Sequence, residues 1–298
     1  MADHPCDRAT EKFVAYRNLL FTVAYEMLGS AADAEDVLQE VWLRWATVDQ
    51  ARVRDDRAFL LRITTRTAID RLRTLKRRRE AYVGPWLPEP LITAPDVAED
   101  VELAEDVSIA ILLLLETLSP TERAVFVLRE AFGFPYEEIA AAVGKSTAAV
   151  RQVAHRARRH VEARCPRESV SPTESRAVVE SFQRALETGD FQSLLDVLAP
   201  DVVLLADGGG LRRAARRPVR GAETVTMYAS RAISRRGVTL TTELALVNGT
   251  SGLLVRVDGA LDGVLAMRVE RNGIAAVYYV RNPEKLTRIT AETSLVRR

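Results

Sequence analysis

The chain has 298 residues, 42 basic against 41 acidic for a formal net charge of +1, and 47% of its residues are hydrophobic. At ~150 residues per domain this predicts two or more domains with real cores and excludes a disordered chain. Two cysteines, Cys6 and Cys165, exclude a disulfide framework and a cysteine-based metal site, and they fit a reducing compartment. The N-terminal stretch MADHPCDRATEKF lacks the apolar core of a signal peptide. The longest oily run, residues 109–115, is far below the ~20 residues of a membrane span. A soluble, cytoplasmic protein with no membrane partner is expected.

Residues 11–79 read as helix. The first helix covers 11–28 and stops at Gly29-Ser30, and Asp33 stands where it can cap a second helix that runs to about Ala46. A polar loop follows. A third helix carries FLLRITTRTAIDRLRTLKRRR, with Leu61, Ala68, Leu72 and Leu75 on one face and Arg62, Arg66 and Arg73 on another. Four prolines (Pro85, Pro88, Pro90, Pro95) then interrupt the helical pattern and predict a linker over about 81–106. Helices resume near residue 101 and continue to about 164, where a second boundary falls at 166–175.

The last third changes period. Residues 174–190 form an amphipathic helix. The stretches 202–206, 238–247, 252–257, 265–269 and 275–280 are β-rich, with turn pairs at Gly249-Thr250, Asp258-Gly259 and Asn272-Gly273. A helix at about 222–235 interrupts them. The expectation is an α+β domain of helices on a curved antiparallel sheet.

Positive charge is concentrated in two places. KSTAAVRQVAHRARRHVEAR, residues 145–164, has six Lys or Arg against one Glu. Ala140, Gly144 and the stripe Val150, Val153, Ala154, Ala157 and Val161 give the spacing of a helix-turn-helix, with Ser146 as the N-cap of its second helix. Thr147, Arg151, Gln152, His155, Arg156, Arg158 and Arg159 lie off the stripe. The N-terminal residues of such a helix read base edges in the major groove, and the later arginines suit phosphates. RLRTLKRRRE, residues 71–80, is the second basic segment. Two basic helical units on one tether suit a protein that grips DNA at two separated places.

These segments resemble the extracytoplasmic-function sigma factors of bacterial RNA polymerase over about residues 10–165. LFTVAYEMLGSAADAEDVLQEVWLRW is similar to the polymerase-docking part of sigma region 2, RAFLLRITTRTAIDRLRTLKRRR to the part that melts and reads the −10 element, and LSPTERAVFVLREAFGFPYEEIAAAVGKSTAAVRQVAHRARRHV to the −35-reading region 4. The resemblance implies core RNA polymerase and promoter DNA as partners. Asp36, Gln39, Glu40 and Leu43 would face the polymerase. Arg62, Thr65, Arg66, Arg73 and Arg77 would face single-stranded −10 DNA, with a base pocket near residues 49–56. Region 2 would cover 8–80 and region 4 would cover 107–165.

Residues 174–298 resemble the SnoaL-like (NTF2-like) cone that some of these sigma factors carry. Three further marks of that subgroup are present: Trp86-Leu87-Pro88-Glu89-Pro90 in the linker, the loop Asp207-Gly208-Gly209-Gly210, and the tail Asn282-Pro283-Glu284-Lys285-Leu286. Leu211 stands where the loop usually has Lys. The resemblance implies a regulatory contact among these marks. All three histidines (His4, His155, His160) lie outside this domain, and Asp207, Asp258 and Asp262 fall in apparent turns, so catalysis is not expected. Gly208 to Gly210 is followed by no Gly-Lys-Ser/Thr, and no cofactor or metal is implied. The alternatives are a ligand-sensing helix-turn-helix regulator that does not act through core polymerase, its small molecule unknown, and an isomerase or hydrolase localised by its N-terminal part.

Overall fold

A computed structural model of the chain describes residues 5–94, 103–104, 107–164, 170–233, 239–289 and 291–296. His4, Cys165, the acidic end of the expected linker and the first four residues of the second boundary lie outside the described residues. The chain forms two compact units. One combines Met1–Glu80, Ile111–Cys165 and Ser294–Arg298; the other combines Ala81–Ala110 with Pro166–Thr293. Among the described residues, no helix is long and apolar enough to cross a membrane.

The first unit is helical. α1 (Pro5–Leu28), α2 (Ala31–Ala46) and α3 (Asp56–Glu80) pack together through Leu20, Tyr25, Val41, Trp45, Leu60 and Leu72. Gly29 turns the chain at φ 65°, and the cap of α2 is Ser30, whose Oγ accepts from the Asp33 amide at 3.2 Å. Asp33 therefore sits inside the first turn rather than capping it, since the glycine stop brings Ser30 to the helix mouth first. After α4 (Ile109–Leu115) comes α5 (Pro120–Phe126), opened by a capping box between Ser119 and Glu122 and continued by a π-helical turn at Val127–Ala131. α6 (Tyr136–Val143) and α7 (Thr147–Glu162) then follow, joined through Gly144 at φ 68°. Val150, Ala154, Ala157 and Val161 are buried as the stripe requires, while Val153 is only half-buried.

A polar clamp ties the two helical groups of this unit together. The Glu116 carboxylate, just after α4, is gripped by Arg79 from α3 and Arg123 from α5. Arg79 also donates to the Leu28 carbonyl at 2.7 Å, and Arg123 to the Glu26 carbonyl at 3.0 and 3.2 Å. Arg123 is 2% exposed, so its charge depends on these partners. Near the end of the chain Leu295 is buried, and the Val296 amide donates to Thr22 Oγ1 in α1 at 3.1 Å.

The second unit is α+β. α8 (Pro172–Thr188), α9 (Phe191–Val197) and α10 (Ala222–Ile233) pack on a sheet of β1 (Ile92–Thr93), β2 (Leu198–Asp207), β3 (Val219–Arg220), β4 (Leu240–Val247), β5 (Thr250–Val257), β6 (Ala260–Glu270), β7 (Gly273–Val280) and β8 (Glu292–Thr293). The strand order is β3-β2-β7-β6-β5-β4-β1-β8. β4 to β7 form an antiparallel meander, but β7 returns beside β2 in the same direction, so the sheet is mixed rather than purely antiparallel. The space between helices and sheet is filled by Val179, Phe182, Leu194, Leu253, Met267 and Val277 among others. The first hairpin turns on Asn248 (φ 51°) and Gly249, one residue before the expected pair; the second turns on Asp258 (φ 51°) and Gly259.

The proline-rich segment is not a free tether. Leu87, Glu89 and Leu91 are buried, and β1 lies between β4 and β8. Asn248 Oδ1 accepts from the Leu91 amide at 3.0 Å, and its Nδ2 donates to the Val107 carbonyl at 2.8 Å. Prolines hold this segment extended, and it leads into β1, which is paired on both sides.

Replacing Glu116 with Ala leaves two largely buried guanidinium groups without their carboxylate. A loss of about 3 kcal/mol is expected, read as a lower midpoint in chemical denaturation, with Glu116→Gln intermediate.

Candidate functional site

On α2, Asp36, Gln39, Glu40 and Leu43 all face solvent, and Leu43 is 67% exposed. Asp36 is gripped by Arg71, which also binds Asp33 at 2.8 Å, and Glu40 pairs with Arg44 at 2.5 Å. Trp45 is wholly buried, its Nε1 donating to the Ala9 carbonyl at 2.9 Å, and half-buried Trp42 packs on Phe13. The outer side of α2 is thus acidic and polar, with one aliphatic side chain at its centre.

On α3, Arg73 and Arg77 are exposed, and Arg73 pairs with Asp70 at 2.7 Å. Half-buried Arg62 lies over the Phe59 ring at 5.1 Å. Arg66 donates through Nε to the Ala142 carbonyl at 3.1 Å and through Nη2 to the Ala141 carbonyl at 3.0 Å. These carbonyls end α6, where a cation is favoured by the helix dipole and by unfilled acceptors. Thr65 is a correction: it is buried with its hydroxyl unpartnered, because α3 is covered by α1 and α2 on one side and by α6 on another. It cannot touch DNA in this arrangement. Beside Arg62, a cleft of about 690 Å³ is lined by Asp49, Arg52, Arg54, Phe59 and, from α6, Glu138.

α7 begins at Ser146, whose Oγ accepts from the Ala149 amide at 3.3 Å. Thr147 is half-buried; Arg151, Gln152, His155, Arg156, Arg158 and Arg159 are exposed. Three of its arginines rest on carboxylates: Arg151 near Glu137 at 3.6 Å, Arg156 on Glu122 at 2.8 Å and Arg158 on Glu130 at 2.8 Å. The Ser119 hydrogen bonds, and then the Arg156 charge, hold the Glu122 carboxyl below its usual range, while Glu130 raises the Arg158 guanidinium. Exposed pairs of this kind are worth about 0–1 kcal/mol, so phosphates can displace them.

In the second unit the three marks of the sequence converge on one side chain. Asp207, the last residue of β2, is fully buried. Its Oδ1 accepts from the Tyr82 hydroxyl at 2.7 Å and the Gly209 amide at 3.0 Å. Its Oδ2 accepts from the Leu87 amide at 2.9 Å and from Lys285 Nζ at 2.7 Å. Lys285 also donates to the Leu87 carbonyl at 2.5 Å and lies 4.2 Å from the Trp86 ring centroid. Asn282 Nδ2 donates to the Tyr82 oxygen at 2.8 Å, and Asn282 Oδ1 accepts from the Glu284 amide at 3.0 Å behind Pro283. Burial, then the hydrogen bond to and charge of Asp207, push the Tyr82 phenol far above its usual range and keep it a donor. Gly208 and Gly209 are required: a Cβ on the first would strike the Arg212 carbonyl, and one on the second would strike Asn282. Gly210 stands at φ 76° beside Val83. Pro88, buried, follows Leu87 into this node. Tyr82 was not singled out from sequence; its place between Asp207 and Asn282 has no local signal.

Asp207 and Asp262 are not turn residues, contrary to expectation. Asp262 lies in β6, where Arg281 binds it at 2.7 Å and Tyr279 donates to it at 2.6 Å. Burial opposes its charge, but these bonds outweigh that and keep its carboxyl below the usual range. Asp258 is a turn residue whose Oδ1 accepts from the Thr239 amide at 2.9 Å.

Residues 13–78 match the family model described as sigma-70 region 2, and residues 108–161 that described as sigma-70, region 4. Two such helical regions in this order define the class of sigma-70-type specificity subunits. Across 93% of its length the chain is 37% identical to the ECF RNA polymerase sigma factor SigJ of Mycobacterium tuberculosis, 92% of which is covered. It is 33% identical to the probable ECF RNA polymerase sigma factor SigI of the same species, across 98% of this chain and 99% of that one. The crystal structure of Mycobacterium tuberculosis SigJ aligns with a TM-score of 0.75 at 34% identity, covering 94% of this chain and 99% of that one. The chain belongs to the extracytoplasmic-function (ECF) family of RNA polymerase sigma factors.

Asp207→Asn removes the carboxylate charge that Lys285 binds. We expect a loss of about 3–5 kcal/mol in unfolding of the intact chain, together with faster hydrogen exchange at the Leu87 and Leu91 amides.

Proposed function

We propose that this sigma factor acts in the cytoplasm, docks on core RNA polymerase through the α2 surface and directs initiation at promoters read at two elements. Asp36, Gln39, Glu40 and Leu43 form the docking face, its carboxylates matched to a basic partner helix. Arg62, Arg66, Arg73 and Arg77 line the path of the unpaired −10 strand, and the cleft beside Phe59 accepts an unstacked base. α7 enters the major groove at the −35 element. Arg151 and Gln152 reach base edges, helped by Thr147 and His155, while Arg156, Arg158 and Arg159 hold phosphates. Ser146 fixes the start of the helix.

The C-terminal domain is a regulator of the same molecule rather than an enzyme. Its three candidate carboxylates are each committed to structure: Asp207 to four donors, Asp262 to Arg281 and Tyr279, and Asp258 to a hairpin turn. The observation that carries the regulatory reading is the Asp207 node, which joins the segment between the two sigma regions to the loop after β2 and to the 282–285 tail. Holding that segment, at the effective concentration of a covalent attachment, restricts where region 2 and region 4 can go. Arg66 gives a second restraint, since it binds two carbonyls at the end of α6.

The test is co-elution with bacterial core RNA polymerase and start-site-specific transcription from the gene's own upstream DNA. The intact chain, Lys285→Met and chains ending at residues 286 and 281 should all bind core polymerase, and specific transcription should change stepwise along the series. Failure of the intact chain and of residues 1–170 to bind core polymerase would sink the sigma reading for this chain. Unchanged transcription across the series would reject the regulatory role. Arg151→Ala with Gln152→Ala should lower specific initiation at least tenfold, with core binding retained.

A further inference from the structure

The loop that leaves Asp207 has a feature that the node does not use. Residues 212–220 read RRAARRPVR, five arginines in nine positions, and no acidic residue occurs from Gly208 to Ala222. The structure sorts this segment by side-chain type. Ala214, Ala215 and Val219 pack against the core of the domain, while Arg212, Arg213, Arg216, Arg217 and Arg220 are exposed. The backbone beneath them is fixed at several points: the Leu211 and Arg212 amides donate to the Gly208 carbonyl at 2.9 Å, Arg281 donates to the Arg213 carbonyl, and Val219 and Arg220 pair with β2.

Three of the arginines of α7 rest on Glu122, Glu130 and Glu137, and Arg281 rests on Asp262. Arg212 has some compensation from Asp262, whose carboxyl its charge helps to hold down. Among the described residues, Arg213, Arg216, Arg217 and Arg220 have no ion pair. Four uncompensated guanidinium groups on a pinned segment cost the fold self-repulsion and return no packing that their apolar neighbours do not already supply. Their planar forks match phosphate oxygens, and several such groups on one short surface segment suit a polyanion with repeated charges better than a single small anion.

We propose that the 212–220 segment is a second, sequence-independent DNA contact, binding the phosphate backbone of duplex DNA apart from the two promoter-reading regions. It rests on the promoter-binding reading only for its biological setting; the contact itself requires no polymerase. The segment grows directly out of Asp207, so a phosphate hold on the arginines and the hold on the 82–87 segment share one stretch of backbone.

The experiment uses the intact chain without polymerase and a fluorescent duplex of non-promoter sequence, with the dissociation constant followed by anisotropy from low to moderate salt. The variant Arg213→Gln, Arg216→Gln, Arg217→Gln, Arg220→Gln should bind more weakly. It should flatten the plot of log affinity against log salt by about 3 to 4, since each neutralised phosphate contact contributes about 0.9. Replacing the same four arginines with Lys should keep most of the slope, which separates charge from a folding defect, and both variants should melt like the parent. An unchanged slope in the Gln variant, or no binding by the parent even at low salt, overturns the proposal. So does an unchanged slope accompanied by weaker binding to core polymerase, which would make the segment a docking surface for an acidic protein. Failure of the intact chain to bind core polymerase, with the DNA slope flattened in the Gln variant as expected, sinks the sigma reading and leaves this contact standing.

Discussion

A carboxylate removed from water is tolerable only when its lone pairs are filled and a positive charge stands beside it. Asp207 meets both conditions with donors 120 positions earlier, at Leu87, and 78 positions later, at Lys285. The second unit is organised around that requirement. The glycines after Asp207 let the loop turn back so that its own amide joins the set, Tyr82 is kept protonated as a donor, and Asn282 orients Tyr82 from behind. Once Leu87 is held, the chain that follows is directed to Leu91 and into β1, where Asn248 takes over the restraint. The described part of the segment between the two sigma regions is held by two buried polar side chains, Asp207 at Leu87 and Asn248 at Leu91.

The first unit divides its charges differently. Glu116, Arg79 and Arg123 are largely buried and hold helices together, so losing one member strands the others. The ion pairs of α7 are exposed and nearly free to exchange, as suits a surface that trades carboxylates for phosphates. Arg66 falls between these cases. It is exposed, yet both of its contacts are to main-chain carbonyls at a helix end, which makes it a small cost to release and a specific seat to return to.

Much of this was legible in the sequence where the signal was local. The buried faces of α3 and α7 follow from Leu61, Ala68, Leu72, Leu75, Val150, Ala154 and Ala157 at helical spacing, and Gly144 from the turn between crossing helices. Thr65 was misread because periodicity identifies a helix's strongest apolar face but not a second layer covering its flank. Ser30 lost the capping role to Asp33 in the sequence reading because both residue types can cap, and only the backbone after Gly29 decides between them. The prolines of WLPEP read as a linker because they forbid helix; they equally permit an extended chain that leads into a strand, and the pairing partner of Ile92 lies at Val247. The meeting of the three marks at Asp207 came from family resemblance alone, since contacts across such separations leave no periodic trace. The parallel alignment of β2 with β7 was invisible for the same reason.

The position of β1 between β4 and β8 has a consequence for the time order of synthesis. Its partners at Val247, Glu292 and Thr293 are translated long after it, the last of them roughly 200 residues later. At ribosomal speeds of about 5–20 residues per second, both sigma regions have left the ribosome on the order of 10 seconds or more before the segment between them can be built into its sheet. Each newly made molecule therefore passes through an interval in which its two promoter-reading regions are joined by loose chain. The restraint is acquired at the end of translation, and a ribosome that stalls in the last third of the message leaves a sigma factor that has never been held.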